Sequence, residues 1–305
     1  RLNPVKLEIS NIQNIGTGTR HSFFVTDHNN IKVTGNNVWG QLGDGTSDNH
    51  KTPSDIGLSN IKKSTGGVNH SLFLTQNGNV YATGYNWHGQ LGNGNTTNYK
   101  LPVETGLNNV KQISAKWNFS VFLLEDGTVK TTGANDDGQL GDGTIQNRST
   151  PVNIGLTNVE QISAGNYHVL FLLEDGTVRV TGSNQYGQIG AGTTVSKKYQ
   201  PFDIGLNNIK QVSAGGHHSL FLLEDGTVKA TGFNSLGQLG LGHTNDLYKP
   251  TDIGLKNVKE IFAIYNHSFF ILENGTVLAT GNNNAGQLGD GTTENKLTPV
   301  EIQLN

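Results

Sequence analysis

Histidine recurs at one position of a repeating pattern, and histidine is the residue type most often used for acid–base and metal chemistry near neutral pH. The column reads His21, His70, Phe119, His168, His218 and His267, at steps of 49, 49, 49, 50 and 49 residues. Histidine recurs at this position in every unit but the third, where phenylalanine replaces it. Such a residue is more simply structural than catalytic. We predict buried histidines that each hydrogen-bond a neighbouring backbone group, as buried polar groups must.

Aspartates in Gly-Asp-Gly-Thr turns are the second candidate for chemistry, at Asp44, Asp142 and Asp290. Calcium requires six to eight oxygen ligands, and each of these aspartates is alone in its turn. Phosphate-binding Gly-Lys-Ser/Thr loops, Gly-x-Ser-x-Gly elbows and His-Glu-x-x-His motifs are also missing. We therefore predict a protein that is not an enzyme, with no catalytic residues, metal site or cofactor.

Composition excludes several further classes of function. The net charge is -3, there is no cysteine, and only four residues are arginine, which argues against a nucleic-acid surface and rules out disulfides. Apolar runs of at most five residues exclude a membrane-spanning helix. The first residues, Arg1-Leu2-Asn3-Pro4, resemble neither a signal peptide nor an initiator methionine, so we interpret the chain as a processed product or part of a longer protein. The composition fits an exported or cell-surface bacterial protein somewhat better than a cytoplasmic one.

The elements that position these residues are six copies of one unit. Gly-Gln-Leu-Gly, with Ile once in place of Leu, begins at residues 40, 89, 138, 187, 237 and 286, and all seven prolines occupy one further column. Self-similarity at about 50 residues is typical of propellers and other repeat folds. We predict a single domain over residues 1–305.

Within the fourth unit, the pattern predicts four short strands. Val159 to Ala164 is the first strand, His168 to Leu173 is a second strand buried on both faces, and Val178 to Thr181 returns after an Asp-Gly hairpin turn. The last strand begins near Pro201 and belongs at a sheet edge, because proline lacks the amide proton that a central strand donates. Such units bury their faces by stacking around an axis, which predicts an all-β, six-bladed β-propeller of four-stranded blades. The duplicate segments from Pro4 to Ile9 and from Pro299 to Leu304 predict a ring closed by overlap of the terminal strands.

The repeated motifs resemble the regulator of chromosome condensation repeat. They are Gly-x-Asn-x-x-Gly-Gln-Leu-Gly-x-Gly, Ser-Ala-Gly-x-x-His-Ser-Leu and Glu-Asp-Gly-Thr-Val, and together they cover nearly the whole chain. The resemblance implies a β-propeller. It also implies guanine-nucleotide exchange on a small GTPase as an alternative function, although the inserted hairpin that the founding member uses has no counterpart in these six repeats.

Positions that differ between the repeats indicate where a partner binds, because shared positions build the scaffold. The loop between the first and second strands, called the first loop below, and the loop after the third strand, called the second loop, are expected at the same end of each blade. Aromatic side chains and arginine dominate protein interfaces, and all three tryptophans fall in these loops. The predicted function is a binding scaffold that recognises a protein, with a glycan-binding module and a purely structural domain of an exported protein as further alternatives. The predicted partner-binding residues are Arg20, Trp117, Tyr167, His217 and Tyr265 in the first loop and Trp39, Trp87, His88, Tyr186 and Phe233 in the second, where Asp136 and Asp137 also lie.

Overall fold

The computed structural model of the protein describes residues 9–193 and 196–302. These residues form strands, turns and loops, and none of them is helical. Accordingly, they include no helix that could cross a membrane. The strands make six antiparallel sheets of four, each built from four consecutive strands of one repeat.

The chain divides into two compact units, and the first comprises residues 9–136 and 140–162. It holds the first three sheets. Their strands are β1 (Ile12–Thr17), β2 (His21–Thr26), β3 (Ile31–Gly35), β4 (His50–Asp55), β5 (Ile61–Gly66), β6 (His70–Thr75), β7 (Val80–Gly84), β8 (Tyr99–Glu104), β9 (Val110–Lys116), β10 (Phe119–Leu124), β11 (Val129–Gly133) and β12 (Arg148–Asn153).

The second unit comprises residues 137–139 and the described residues from 163 onward. It holds the last three sheets, apart from the start of β13. Their strands are β13 (Val159–Ala164), β14 (His168–Leu173), β15 (Val178–Ser183), β16 (Lys197–Asp203), β17 (Ile209–Ala214), β18 (His218–Leu223), β19 (Val228–Gly232), β20 (Leu247–Asp252), β21 (Val258–Ile264), β22 (His267–Leu272), β23 (Val277–Gly281) and β24 (Lys296–Glu301).

The four predicted strands of the fourth repeat are present, but the last one begins at Lys197 and not near Pro201, and the third one extends to Ser183. β13 and β14 have the predicted bounds, and β14 is buried at every residue from His168 to Leu172. The predicted turn follows, with Gly176 at a φ of 75°. A run of apolar residues with no alternation is therefore a second strand that is covered on both faces.

Proline is confined to the outermost strand of each described sheet. Pro201 lies in β16 and Pro299 in β24, and each of these strands is the last in its sheet. Of the two duplicate terminal segments, the C-terminal one forms the outer strand of the sixth sheet. The N-terminal copy, which begins at Pro4, lies almost entirely outside the described residues.

The hydrophobic core lies between consecutive sheets. In the second unit, Leu170 and Leu172 of β14 pack with Val212 of β17 and Phe221 of β18, and Ile189 from the Gly-Gln-Ile-Gly segment belongs to the same cluster. The Leu or Ile of each Gly-Gln-Leu-Gly segment is buried, since Leu42, Leu91, Leu140, Ile189 and Leu239 are fully buried and Leu288 is 1% exposed. Each repeat therefore contributes half of a core that its neighbour completes.

Candidate functional site

The two variable loops of every repeat are joined by a backbone hydrogen bond. The residue after the third strand donates its N–H to the carbonyl of the residue at or next to the end of the first loop, as from Asn36 to Arg20 at 2.9 Å and from Phe233 to His217 at 2.8 Å. The same bond links Tyr85 to Asn69, Ala134 to Asn118 and Asn282 to Asn266, and in the fourth repeat Ser183, the last residue of β15, donates to Tyr167. Both loops therefore lie at one end of each sheet, which we call the loop end, and the hairpin turns lie at the other.

Aromatic side chains of the first two repeats form what we call the tryptophan cluster, namely Trp39, Tyr85, Trp87 and His88. The ring centroids of Trp39 and Tyr85 are 5.0 Å apart, those of Tyr85 and Trp87 are 5.3 Å apart, and those of Trp39 and Trp87 are 5.9 Å apart. His88 lies against Tyr85 at 6.1 Å. Trp87 nevertheless remains 63% exposed and the neighbouring Val38 56% exposed, so this cluster presents apolar surface to solvent.

Polar residues that recur in the second loop of each repeat hold these rings in place. Gln41 accepts the backbone N–H of Trp39 on its Oε1 at 2.9 Å, and Gln90 accepts that of His88 at 3.1 Å. Asn86 accepts the N–H of Leu91 at 2.9 Å. Because these amides are buried, the loop backbone is fixed, and binding through it costs little ordering entropy.

A second group of rings lies in the other unit and is called the tyrosine cluster, formed by Tyr167, Tyr186, His217 and Phe233. Tyr167 stacks on His217 with centroids 5.4 Å apart, and Tyr186 contacts His217 at 5.2 Å and Phe233 at 5.0 Å. Burial lowers the pKa of His217, which the charge of Asp137 partly opposes. Burial, with Asp137 as a smaller cause, raises the pKa of Tyr167. This cluster is more enclosed than the tryptophan cluster, since all four side chains are partly buried.

Trp117 and Tyr265 occupy an unusual backbone conformation in the first loops of the third and sixth repeats. Their φ angles are 45° and 47°, in the left-handed region that bulky residues rarely adopt. Each carbonyl accepts a hydrogen bond from the loop of the preceding repeat, from Val68 to Trp117 at 3.0 Å and from Gly216 to Tyr265 at 2.7 Å. These bonds hold the two aromatic residues at the loop end in a conformation that costs free energy.

The ten predicted residues fall evenly between the two units. Arg20, Trp39, Trp87, His88 and Trp117 belong to the first unit, where Trp39, Trp87 and His88 meet. Tyr167, Tyr186, His217, Phe233 and Tyr265 belong to the second, where the first four meet. Sequence reasoning missed Tyr85, which follows the third strand as Phe233 does, and that shared position was the signal that could have found it.

The histidine column is structural, but its partner is a side chain and not the predicted backbone group. His21, His70 and His168 place Nε2 within 2.9, 3.0 and 2.9 Å of Ser71, Ser120 and Ser219, each in the next repeat. Ser120 and Ser219 in turn donate to the backbone carbonyls of Gln90 and Gln188 at 2.8 and 2.7 Å. Because the serine proton is committed to that carbonyl, the histidine must donate from Nε2, which makes it the neutral Nε2–H tautomer.

Burial keeps these histidines uncharged. It lowers the pKa of His21 from 6.5 to about 4, and that of His70 and His168 to about 3. Where Phe119 replaces histidine in the third repeat, Val169 replaces serine in the fourth. The histidine and the serine are thus both replaced by apolar residues, as expected of a structural element rather than a catalytic one.

The aspartates of the Gly-Asp-Gly-Thr turns are engaged by their own loops. Asp142 pairs with Arg148 at 2.7 Å, and Asp290 accepts hydrogen bonds from Asn283 and Thr292 and pairs with Lys296 at 3.2 Å. For Asp290 these bonds outweigh the effect of burial and lower the pKa to about 2. Among the described residues, no three histidine, aspartate or glutamate side chains converge as metal ligands. These carboxylates order the second loop.

Six four-stranded antiparallel sheets, one for each sequence repeat, make the chain an all-β, six-bladed β-propeller. The profile of the RCC1-like domain matches residues 100–305, and that of the Regulator of chromosome condensation (RCC1) repeat matches residues 62–90. The chain therefore belongs to the RCC1-like domain family.

Solved structures agree with this assignment. Human WBSCR16 is 23% identical and superposes with a TM-score of 0.91, over 100% of this chain and 85% of that one. Yeast RCC1 (Prp20), in its complex with Kap60, is 23% identical with a TM-score of 0.85 over 96% and 75% of the two chains. Prp20p from Saccharomyces cerevisiae, whose binding to Gsp1p and histones was studied with its structure, is 24% identical with a TM-score of 0.84 over 96% and 77%. At these identities the likeness establishes the fold, and among curated protein sequences none matches this chain.

Proposed function

We propose that this chain is a non-enzymatic binding protein whose loop end recognises a protein partner. The observation that carries the proposal is the tryptophan cluster, because it keeps Trp87 63% exposed on a backbone fixed by buried amides. A large exposed ring on a rigid support is typical of the few residues that supply most of the binding free energy at an interface. The binding of Gsp1p and histones by Prp20p supports a protein as the partner of a propeller of this family.

Replacing Trp87 by alanine is expected to weaken partner binding about 30-fold, since removal of a central interface ring costs about 2 kcal/mol or more. The measurement is affinity capture from a lysate of the source organism, followed by calorimetric titration of the recovered partner. Leu101→Ala is the matched control, because Leu101 is 61% exposed in β8 of the same repeat but lies outside the tryptophan cluster. Equal affinities for Trp87→Ala and the unchanged chain would rule out the tryptophan cluster as the anchor.

Guanine-nucleotide exchange is the second candidate, favoured by the binding of Gsp1p by Prp20p. Its test is release of fluorescent GDP from a small GTPase in the presence of this chain. If the chain accelerates GDP release and Trp87→Ala abolishes this acceleration, the partner is a GTPase. If GDP release is unchanged while partner capture is intact, the binding scaffold is the one function that remains.

A further inference from the structure

Lys116 is an exception to the repeat at the loop end. The corresponding residue is Gly18, Gly67, Gly165 and Gly215 in the first, second, fourth and fifth repeats, and Ile264 in the sixth. In the third repeat β9 continues through Lys116, which pairs with Phe119 across a loop of only two residues. The lysine therefore stands directly before Trp117, one of the predicted partner-binding residues.

The ammonium group of Lys116 is partly buried without a counter-charge. Within residues 9–193 and 196–302, no ion pair or side-chain hydrogen bond joins it to another group, and burial alone lowers its pKa. Desolvating a lysine without a partner is unfavourable, and a carboxylate that arrives from outside removes this cost.

A second cation lies along the same line of loops. Thr19 donates its N–H to the carbonyl of Gly67 at 3.0 Å, and Val68 donates to Trp117 at 3.0 Å, so the first loops of the first three repeats are hydrogen-bonded in series. Arg20, at the start of this series, is exposed and forms no ion pair with the described residues. The loop residues 18–20, 67–69 and 116–118 include these two cations and no aspartate or glutamate.

The two charged groups of these first loops, Lys116 and Arg20, are both hydrogen-bond donors without an ion-pair partner among the described residues. A partner that supplies acceptors and negative charge complements them.

We propose that the protein partner presents an acidic segment to the first loops of repeats one to three, with Lys116 as its main charged contact and the exposed tryptophan cluster as its apolar neighbour. This proposal rests on the proposed function, because it specifies the chemistry of the partner that the loop end binds. Its occupant is a peptide segment rich in aspartate or glutamate that also carries an apolar side chain.

The test is fluorescence anisotropy with a fluorescein-labelled, glutamate-rich peptide that contains one central tryptophan. Matched peptides carry glutamine or lysine in place of every glutamate. We expect the glutamate peptide to bind most tightly and Lys116→Gln to weaken it about fivefold. Lys111→Gln is the control, because it removes the same charge from the opposite end of β9, where the side chain is exposed.

Lys116→Gly introduces the residue that four other repeats carry at this position, and it keeps the experiment interpretable if Lys116→Gln disturbs the fold. Equal binding of the three peptides, binding of none of them, or equal effects of the Lys116 and Lys111 variants would overturn the proposal. These results are distinguishable from failure of the proposed function. If the proposed function fails, Trp87→Ala leaves partner capture unchanged. If only the preference for an acidic partner fails, Trp87→Ala still weakens partner capture.

Discussion

The free energy of unfolding is expected to fall by about 6 kcal/mol between pH 7 and pH 5, which is about 2 kcal/mol for each of His21, His70 and His168. In the folded chain, burial lowers the pKa of these three histidines from 6.5 to between about 3 and about 4. The unfolded chain binds protons near pH 6.5 while the folded chain does not, so acid favours unfolding. Stability contributed by a depressed histidine pKa is present above the unfolded value and is lost as the pH falls below it.

Urea unfolding followed by tryptophan fluorescence at a series of pH values measures this loss. Hydrogen bonds within their turns lower the pKa of Asp44, Asp142 and Asp290 below 3.8, to about 2 for Asp290, so the stability that these carboxylates contribute is lost only at lower pH. The window between pH 7 and pH 5 therefore isolates the histidines. A free energy of unfolding that stays constant across this window would contradict the neutral, buried assignment.

The natural pair Phe119 and Val169 supplies the matched variant for this experiment. A chain carrying His21→Phe together with Ser71→Val copies that pair into the first and second repeats. It is expected to lose about 2 kcal/mol of the fall in unfolding free energy between pH 7 and pH 5, because the contribution of His21 is gone. His28→Phe is the control, because His28 is 81% exposed and replacing it leaves His21, His70 and His168 in place.

Gly182→Ala is expected to destabilise the chain by about 4 kcal/mol or more, a large part of the stability of an ordinary domain. Gly182 has a φ of 102° and pairs with His168 in β14. A Cβ at this position would lie 2.2 Å from the carbonyl oxygen of Tyr167 and 2.7 Å from the Cα of His168. Both contacts are with backbone, so no side-chain rotation relieves them.

Gly205→Ala in the same repeat separates crowding from backbone strain. Gly205 has a φ of 73°, and nothing lies within 4 Å of an added Cβ. Only the left-handed conformation opposes alanine there, at a cost of about 1 kcal/mol. Urea unfolding should show a much larger loss of unfolding free energy for Gly182→Ala than for Gly205→Ala. Similar losses for the two variants would mean that the close backbone contacts at Gly182 do not determine the effect of the substitution.

Much of the fold could be predicted from the sequence because the repeat samples each position six times. The proline column located the outer strands, and the Asp-Gly turn located the hairpin, since each residue type has one backbone preference that decides its place. The first two strands of the fourth repeat agree with the structure at both ends. β15 extends to Ser183, past the predicted Thr181, because the glycine that precedes Ser183 pairs with the start of β14.

The candidate site was less predictable, because its geometry depends on contacts between repeats. The serine partners of the histidines lie about 50 residues further along the chain, and spacing within one repeat does not reveal them. The joint replacement by Phe119 and Val169 carried that information in the sequence. The left-handed φ of Trp117 left no comparable sign, because it is maintained by a hydrogen bond from the loop of the second repeat.

The bonds from histidine to serine also restrict how such a chain can grow by duplication. The first residue of the second strand, which is histidine or phenylalanine, must match the second residue of the same strand in the next repeat, which is serine or valine. A copy of the fourth repeat inserted behind the first would set His21 against the methyl groups of a valine, with no oxygen to accept its proton. Successive repeats are therefore not interchangeable modules, and gene rearrangements that preserve this pairing are the ones that leave a folded product.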